Sequence, residues 1–227
     1  MHRVLWFALA TLAACASPPP APRASAAQPA VVSAPPVGAG YTVVSAESLI
    51  IIRVYRGGTL SRVGHNHIVA SHSLRGTVQV APDVARSSCE LSFAVAELTV
   101  DEAELRAAQG PDFAAEVPDS ARAGTRHNML GPALLNAEAY PQITMHCLGF
   151  ESSGAQLIVH MQIRVRDHLA EVAVPVSYTS NAHELLAQGE LALKQSDLGL
   201  TPFSAMLGAL AVQDEMRLQF NIVARAP

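Results

Sequence analysis

Apolar and polar residues alternate along many stretches of this chain, and a period of two is typical of β-strands with one buried face. The longest stretch runs from Leu157 to Arg166, where every second residue up to Val165 is apolar. Shorter stretches repeat the pattern at Val78 to Val80, Leu91 to Val95, Val172 to Tyr178, Leu191 to Leu193 and Met216 to Ile222. This pattern predicts an all-β domain.

Three segments depart from the alternation. Ser48 to Val54 is apolar on both faces at several positions, which predicts a strand that is buried on both sides or packed under a helix. Pro175 lies inside a strand-like stretch, and we expect it at a bulge or sheet edge because it cannot donate to a ladder. One insertion has helical character: acidic residues open a short helix at 101–105, and 119–136 predicts one or two more helices.

The N-terminus has the pattern of a bacterial lipoprotein signal. Arg3 precedes an apolar run from Val4 to Ala13, which is too short to span a bilayer. The run ends in Leu12-Ala13-Ala14-Cys15, which resembles a lipobox. We therefore predict a signal peptide at 1–14 and a lipid anchor on Cys15 that places the protein in the cell envelope. Ala16 after the cysteine favours the outer membrane, facing the periplasm.

Composition divides the rest of the chain into a linker and one domain. Residues 15–40 consist largely of Ala, Pro, Ser, Gly and Val, which predicts an extended spacer with no packed core. Residues 41–227 are long enough for one domain. The net charge of -4 and the scattered Lys and Arg exclude the basic surface typical of a nucleic-acid binder, so we expect no such partner.

Several motifs, taken in order, resemble the YceI-like family of periplasmic proteins. They are Gly64-His65-Asn66-His67, Leu74-Arg75-Gly76-Thr77-Val78, Phe93 to Glu102, Asn128-Met129-Leu130, Leu135 to Thr144, Gln195 to Leu200 and Asp214-Glu215-Met216. Two positions depart from the family pattern: Met145 replaces the usual aromatic residue, and Asp167 replaces a usual glycine. The resemblance covers almost all of 41–227.

Periodicity alone leaves a barrel and a sandwich open, and the resemblance implies an extended, lipocalin-like antiparallel β-barrel of about eight strands with a helix across one side. It also implies an apolar pocket for an isoprenoid- or lipid-like ligand, held by a binding protein rather than an enzyme. No other cofactor is expected. The pocket-lining residues that we predict are Phe93, Val95, Met129, Ile143, Met145, Val159, Met161 and Phe220.

His65 and His67 suggest an alternative function. Two histidines at i and i+2 can share one strand face and bind a metal or a haem, which would make the protein a redox accessory. Tight metal sites usually have three or four ligands, and no signature in the chain supplies them. The competing interpretation is that these histidines form hydrogen bonds at the barrel mouth. The sequence contains no motif of a hydrolase or nucleotide-binding enzyme.

Cys89 and Cys147 remain once Cys15 is assigned to the lipid anchor. Each shares a predicted strand face with apolar neighbours. In the YceI-like resemblance the two strands flank the helical insertion and can lie side by side, so a disulfide inside or beside the pocket is one prediction. Two separate buried thiols are the alternative.

Overall fold

A computed structural model describes residues 38–153 and 156–227. The predicted signal peptide, Cys15 and most of the predicted linker lie outside the described residues. The first strand begins at Ala39, within the last two residues assigned to the linker. None of the helices in the described part is long and apolar enough to cross a membrane.

Twelve strands and two α-helices account for most of the described residues. The strands are β1 (Ala39–Val43), β2 (Leu49–Gly57), β3 (His67–Ser71), β4 (Arg75–Val80), β5 (Ser88–Ala94), β6 (Thr99–Val100), β7 (Gln142–Ser153), β8 (Gln156–Val165), β9 (His168–Ser180), β10 (Glu184–Lys194), β11 (Ser204–Ala205) and β12 (Leu210–Arg225). The helices are α1 (Ala103–Ala107) and α2 (Asp119–Leu130).

The strands form one closed antiparallel barrel with eight positions. The ladder runs β1-β4-β5-β7-β8-β9-β10-β12, and β12 pairs back with β1. At three of the eight positions around the barrel, two short strands replace one long strand: β1 and β2, β3 and β4, and β5 and β6. The strands β1, β4 and β5 are in the ladder given above. The other three strands pair at the opposite end of the barrel, where β12 pairs with β2, β2 with β3, and β3 with β6. This architecture confirms the lipocalin-like fold.

Serine side chains bridge the breaks in these divided strands. Ser48 Oγ accepts from the Val223 N–H at 3.0 Å and lies 2.9 Å from the carbonyl oxygen of Val44, to which it can donate. Ser45 Oγ donates to the carbonyl of Leu74 at 2.6 Å. Hydroxyl groups thus satisfy backbone atoms that a continuous ladder would have paired.

The helical insertion covers the outside of β2. Ile51 packs with Ile68 and Phe113 in a small apolar cluster on the outer face, and Leu105 of α1 packs against it. The inward neighbours Ile50 and Ile52 belong to the main core. This arrangement explains why Ser48 to Val54 is apolar on both faces: one face lines the barrel, and the insertion covers the other.

Pro175 lies where the pairing between β9 and β10 ends. The Cα register between these strands runs from Leu185–Ser180 to Gln188–Ser177 and stops before Pro175. Its other side remains paired with Ile158 of β8. The proline therefore lies beyond the end of one ladder, as expected for a residue without an N–H group.

Candidate functional site

The barrel encloses two apolar chambers that lie end to end along the strands. On β12, Met216 lines one chamber, and Leu218, Phe220 and Ile222 line the other. The same change occurs on β7, where Ile143 lines the first chamber and Met145 and Cys147 line the second. Because alternate residues of a strand point inward, both chambers lie inside the barrel, and the lining of each of these strands passes from one chamber to the other.

The narrow chamber, with a volume of about 140 Å³, is lined by apolar side chains apart from Ser87 and Tyr178. Cys89 of β5 and Cys147 of β7 form a disulfide in its wall, with Cα atoms 5.0 Å apart. The bond joins two neighbouring strands on either side of the helical insertion. The chamber is thus an apolar space suited to a hydrocarbon chain.

The wide chamber, with a volume of about 490 Å³, has one wall formed by α2. One face of this helix contributes side chains at the spacing of an amphipathic helix. These residues are Ala121, Gly124, Thr125, Asn128 and Met129. The volume is within the range of small-molecule sites.

Two loops with exposed apolar residues flank the wide chamber. Residues 58–64 follow β2, residues 203–209 precede β12, and the N–H of Leu60 donates to the carbonyl of Ala209 at 2.7 Å. Val63 and Phe203 line the chamber and are also exposed. Met206 and Leu207 are exposed in the same loop. The chamber thus extends to an end of the barrel with apolar side chains at its surface.

Polar groups concentrate in the wide chamber. His67 lines it, and its Nδ1 lies 2.6 Å from Oδ2 of Asp101, whose side chain is fully buried behind it. Asp101 Oδ1 accepts from the Ile68 N–H at 2.9 Å and from Nη1 of Arg106 at 2.6 Å. His65 lines the chamber as well, with its ring centroid 6.1 Å from that of His67.

Asp101 is ionised at neutral pH despite its burial. Burial by itself raises the pKa of the Asp101 carboxyl. Hydrogen bonds from His67, the Ile68 N–H and Arg106 stabilise the charged form more strongly, and the net result is a pKa below the ordinary value. The sequence predicted Asp101 as the first residue of a short helix, but α1 begins at Ala103, and Asp101 instead fixes His67 and Arg106.

Seven of the eight predicted pocket residues line the two chambers. Phe93, Met129 and Ile143 are in the wide chamber, whereas Met145, Val159, Met161 and Phe220 are in the narrow one. Val95 is buried in the core but lines neither chamber. We included it by extending the alternation of β5, but the strand ends at Ala94 and a helical turn follows, so the parity does not continue.

The metal alternative has no third ligand in the described part of the chain. Within residues 38–153 and 156–227, no group of three or more His, Cys, Asp or Glu side chains is placed to hold a metal ion. His65 and His67 do share the wide chamber, but Nδ1 of His67 is bonded to Asp101. Hydrogen bonding thus accounts for the position of His67.

A family comparison fits this architecture. Residues 41–224 match the model of the YceI-like domain. The chain belongs to the YceI-like family. No curated protein sequence matches it.

Two of the solved structures that are similar to this YceI-like chain show the likeness of the fold. BcnA from Burkholderia cenocepacia has a TM-score of 0.58 and 18% identity, with 80% of this chain and 98% of BcnA covered. A polyisoprenoid binding domain from Saccharophagus degradans, implicated in plant cell wall breakdown, has a TM-score of 0.54 and 12% identity, with 82% and 98% covered. At these identities the likeness concerns the fold.

Sequence reasoning missed the partners of His67 in this YceI-like domain. Asp101 lies 34 residues from His67, and Arg106 belongs to a different element. No local pattern joins them, because the contact arises only when β3 pairs with β6 and brings Asp101 beside Ile68. A carboxylate directly after a strand and five residues before an arginine was the only available signal.

Proposed function

We propose that this protein binds an amphiphile with a long apolar chain, isoprenoid- or lipid-like, and carries or sequesters it without chemical change. The observation that supports this most strongly is the distribution of polarity along the interior. The narrow chamber is almost wholly apolar, and polar side chains gather in the wide chamber next to it. An apolar tail in the first and a head group in the second match this gradient.

Family membership supports the same class of ligand. The similar domain from Saccharophagus degradans is a polyisoprenoid binding domain, and the interior here offers apolar surface that would stabilise such a chain at roughly 25 cal/mol per Å².

We further propose that the protein acts at the cell envelope, anchored through lipid on Cys15 and facing the periplasm. The lipobox-like Leu12-Ala13-Ala14-Cys15 and the proline-rich stretch after it support this location. Metabolic labelling with a radioactive fatty acid tests the anchor: label should enter the wild-type protein and be absent from Cys15→Ser. Equal labelling of both would contradict it.

Ligand binding is tested by native mass spectrometry and lipid extraction of the full chain purified from its own host. We expect an apolar molecule to co-purify with the wild type. Gly124 offers a blocking variant, because a Cβ at this position meets no atom within 4 Å and the residue lines the wide chamber. Gly124→Trp should reduce the bound ligand.

Ala123→Trp is the matched control, since Ala123 is exposed on the same helix and does not line the chamber. It should retain the ligand of the wild type. Wild-type protein without any bound apolar molecule, or equal ligand content in the two tryptophan variants, would contradict the proposal.

A further inference from the structure

His67 is held in one tautomer by the buried pair behind it. Asp101 is a carboxylate and can only accept hydrogen bonds, so the proton in the 2.6 Å contact belongs to Nδ1 of His67. In the neutral imidazole the other nitrogen, Nε2, is then an acceptor. In this neutral form the ring leaves one lone pair for the wide chamber.

The lone pair of Nε2 accepts at most a weak hydrogen bond from its surroundings. Among the described residues, its hydrogen-bonding neighbour is Oγ1 of Thr125, at 3.4 Å, which is beyond the usual distance for a hydroxyl donor. Thr125 and Asn128 of α2 line the same chamber. A ligand oxygen that reaches this point meets one acceptor on β3 and two further polar side chains on α2.

The charges around His67 favour a neutral ligand group. The charge of Asp101 is balanced by Arg106 at 2.6 Å. The other Nη hydrogens of Arg106 donate to the carbonyls of Asn66, Phe113 and Ala115, and Arg106 does not line the chamber. Arg56 does line it, but is exposed and donates to the carbonyl of Gly64. Among the described residues, no Lys or Arg that lines the chamber is buried, so a phosphate or carboxylate there would have no buried cation to offset its desolvation.

We propose that Nε2 of His67 accepts a hydrogen bond from a hydroxyl group on the ligand head, so that the wide chamber selects neutral long-chain alcohols or phenols. This inference rests on the proposed function, because it assigns the head-group site of the same cavity. His67 is the contacting residue, and Asp101 and Arg106 are positioning residues that hold it in the accepting tautomer. An ether of equal length fits the chamber but has no proton to donate.

The test compares three probes of equal chain length on the delipidated full chain: geranylgeraniol, its methyl ether and geranylgeranyl phosphate. Affinity is measured by displacement of the apolar fluorophore N-phenyl-1-naphthylamine. The wild type should bind the alcohol roughly fivefold more tightly than the ether, as one hydrogen bond predicts, and more tightly than the phosphate. Equal affinity for the alcohol and the ether, or tighter binding of the phosphate, would overturn the inference and leave the proposed function standing.

A His67→Phe variant keeps a ring in place and removes the acceptor. It should bind the alcohol and the ether equally, at the affinity of the wild type for the ether. His65→Phe is the matched control, because His65 lines the same chamber without the Asp101 contact, and it should retain the preference for the alcohol. A preference that survives in His67→Phe would overturn the assignment.

Nitrogen NMR of the wild type supplies a readout that does not depend on a variant folding. The His67 ring should carry its proton on Nδ1, and the Nε2 resonance should shift on addition of the alcohol and not of the ether. A ring protonated on Nε2 alone, or the same shift with both probes, would contradict the proposal. Failure of all three probes to displace the fluorophore would overturn the inference and the proposed function together.

Discussion

Asp101 has two features that each cost free energy, a left-handed backbone and a buried charge, and its neighbours stabilise both. Its backbone is left-handed, with φ 54°, and its carboxylate is fully buried. The left-handed conformation costs about 1–2 kcal/mol for most residues, although Asp tolerates it better than larger ones. An unpaired buried charge would cost several kcal/mol more. Arg106, the Ile68 N–H and His67 stabilise the carboxylate, so these residues act as one unit.

Replacement of Asp101 by Asn should therefore be strongly destabilising. Asp101→Asn keeps the shape of the side chain but leaves the buried Arg106 without its counter-charge, so the free energy of unfolding should fall by about 3–5 kcal/mol at pH 7. Glu102→Gln is the matched control, since Glu102 is partly exposed and should cost less than about 1 kcal/mol. Urea denaturation measures both variants, and equal losses would refute the buried-pair account.

The same substitution makes a prediction about pH. The folded pKa of Asp101 is lowered, so its stabilising contribution is complete above the unfolded value of about 3.9 and disappears as the pH falls through the folded value. The stability difference between wild type and Asp101→Asn should then shrink below about pH 4. Denaturation curves between neutral and acid pH check this. A difference that stays constant down to the lowest folded pH would contradict it.

At the scale of the elements, the barrel owes its shape to the three positions at which two short strands replace one long strand. β1 and β2 both pair with β12, and the chain between them turns through Ser45 and Ser48. Because Ser48 satisfies the N–H of Val223 across this break, the wall can bend without leaving a buried backbone group unpaired. The second halves, β2, β3 and β6, then support the insertion and α2.

Ser48→Ala tests whether the Ser48 hydroxyl stabilises the barrel at this break. Ser48 is buried, and its removal leaves the N–H of Val223 without a partner, so we expect a loss of about 1–3 kcal/mol in unfolding free energy. The amide of Val223 should also exchange its hydrogen faster than in the wild type. Ser152→Ala, at an exposed position on β7, should change stability by less than about 0.5 kcal/mol. Unchanged exchange at Val223 would refute the role of Ser48.

Alternation predicted the long strands well because parity is a local property of the chain. The stretch Leu157 to Val165 coincides with β8 almost to its ends, and its inward residues line the cavity. The alternation gave a wrong prediction for Val95, because a helical turn follows the end of the strand there. It also gave no indication of the break between β1 and β2 near Ser48. The hydrogen bond at that break joins Ser48 to Val223, which are 175 residues apart, so no local window contains it.

At the scale of the whole molecule, the barrel separates its two ends by polarity. The described chain begins beside the narrow chamber, because Ala39 pairs with Val80 in its wall. The polar groups and the exposed apolar loops lie at the other end. On β12, Met216 lines the wide chamber and Ile222 lines the narrow one, and the six residues of strand from one to the other span about 20 Å. Under the proposed function, a short ligand can occupy the wide chamber alone, whereas a long one must extend past the level of Val159.

A tryptophan in the narrow chamber should therefore discriminate by chain length. Val159→Trp fills part of a cavity of about 140 Å³ and leaves the wide chamber open. The affinity for geranylgeraniol should fall about tenfold or more, because displacing two methylenes from apolar burial already costs that much, at about 0.8 kcal/mol each. Geraniol, with half the chain length, should bind as it does to the wild type. Fluorophore displacement measures both affinities.

The control for this experiment is the next residue on the same strand. His160 is exposed and does not line either chamber, so His160→Trp should leave both affinities unchanged. If Val159→Trp lowered the affinities for geraniol and geranylgeraniol by the same factor, the idea that one ligand extends from the wide chamber into the narrow one would be wrong. Val159 and His160 are consecutive residues of β8 and point to opposite faces of the wall, so only Val159→Trp fills the narrow chamber. A loss confined to the longer alcohol therefore requires that its tail reach the narrow chamber while its head stays in the wide one.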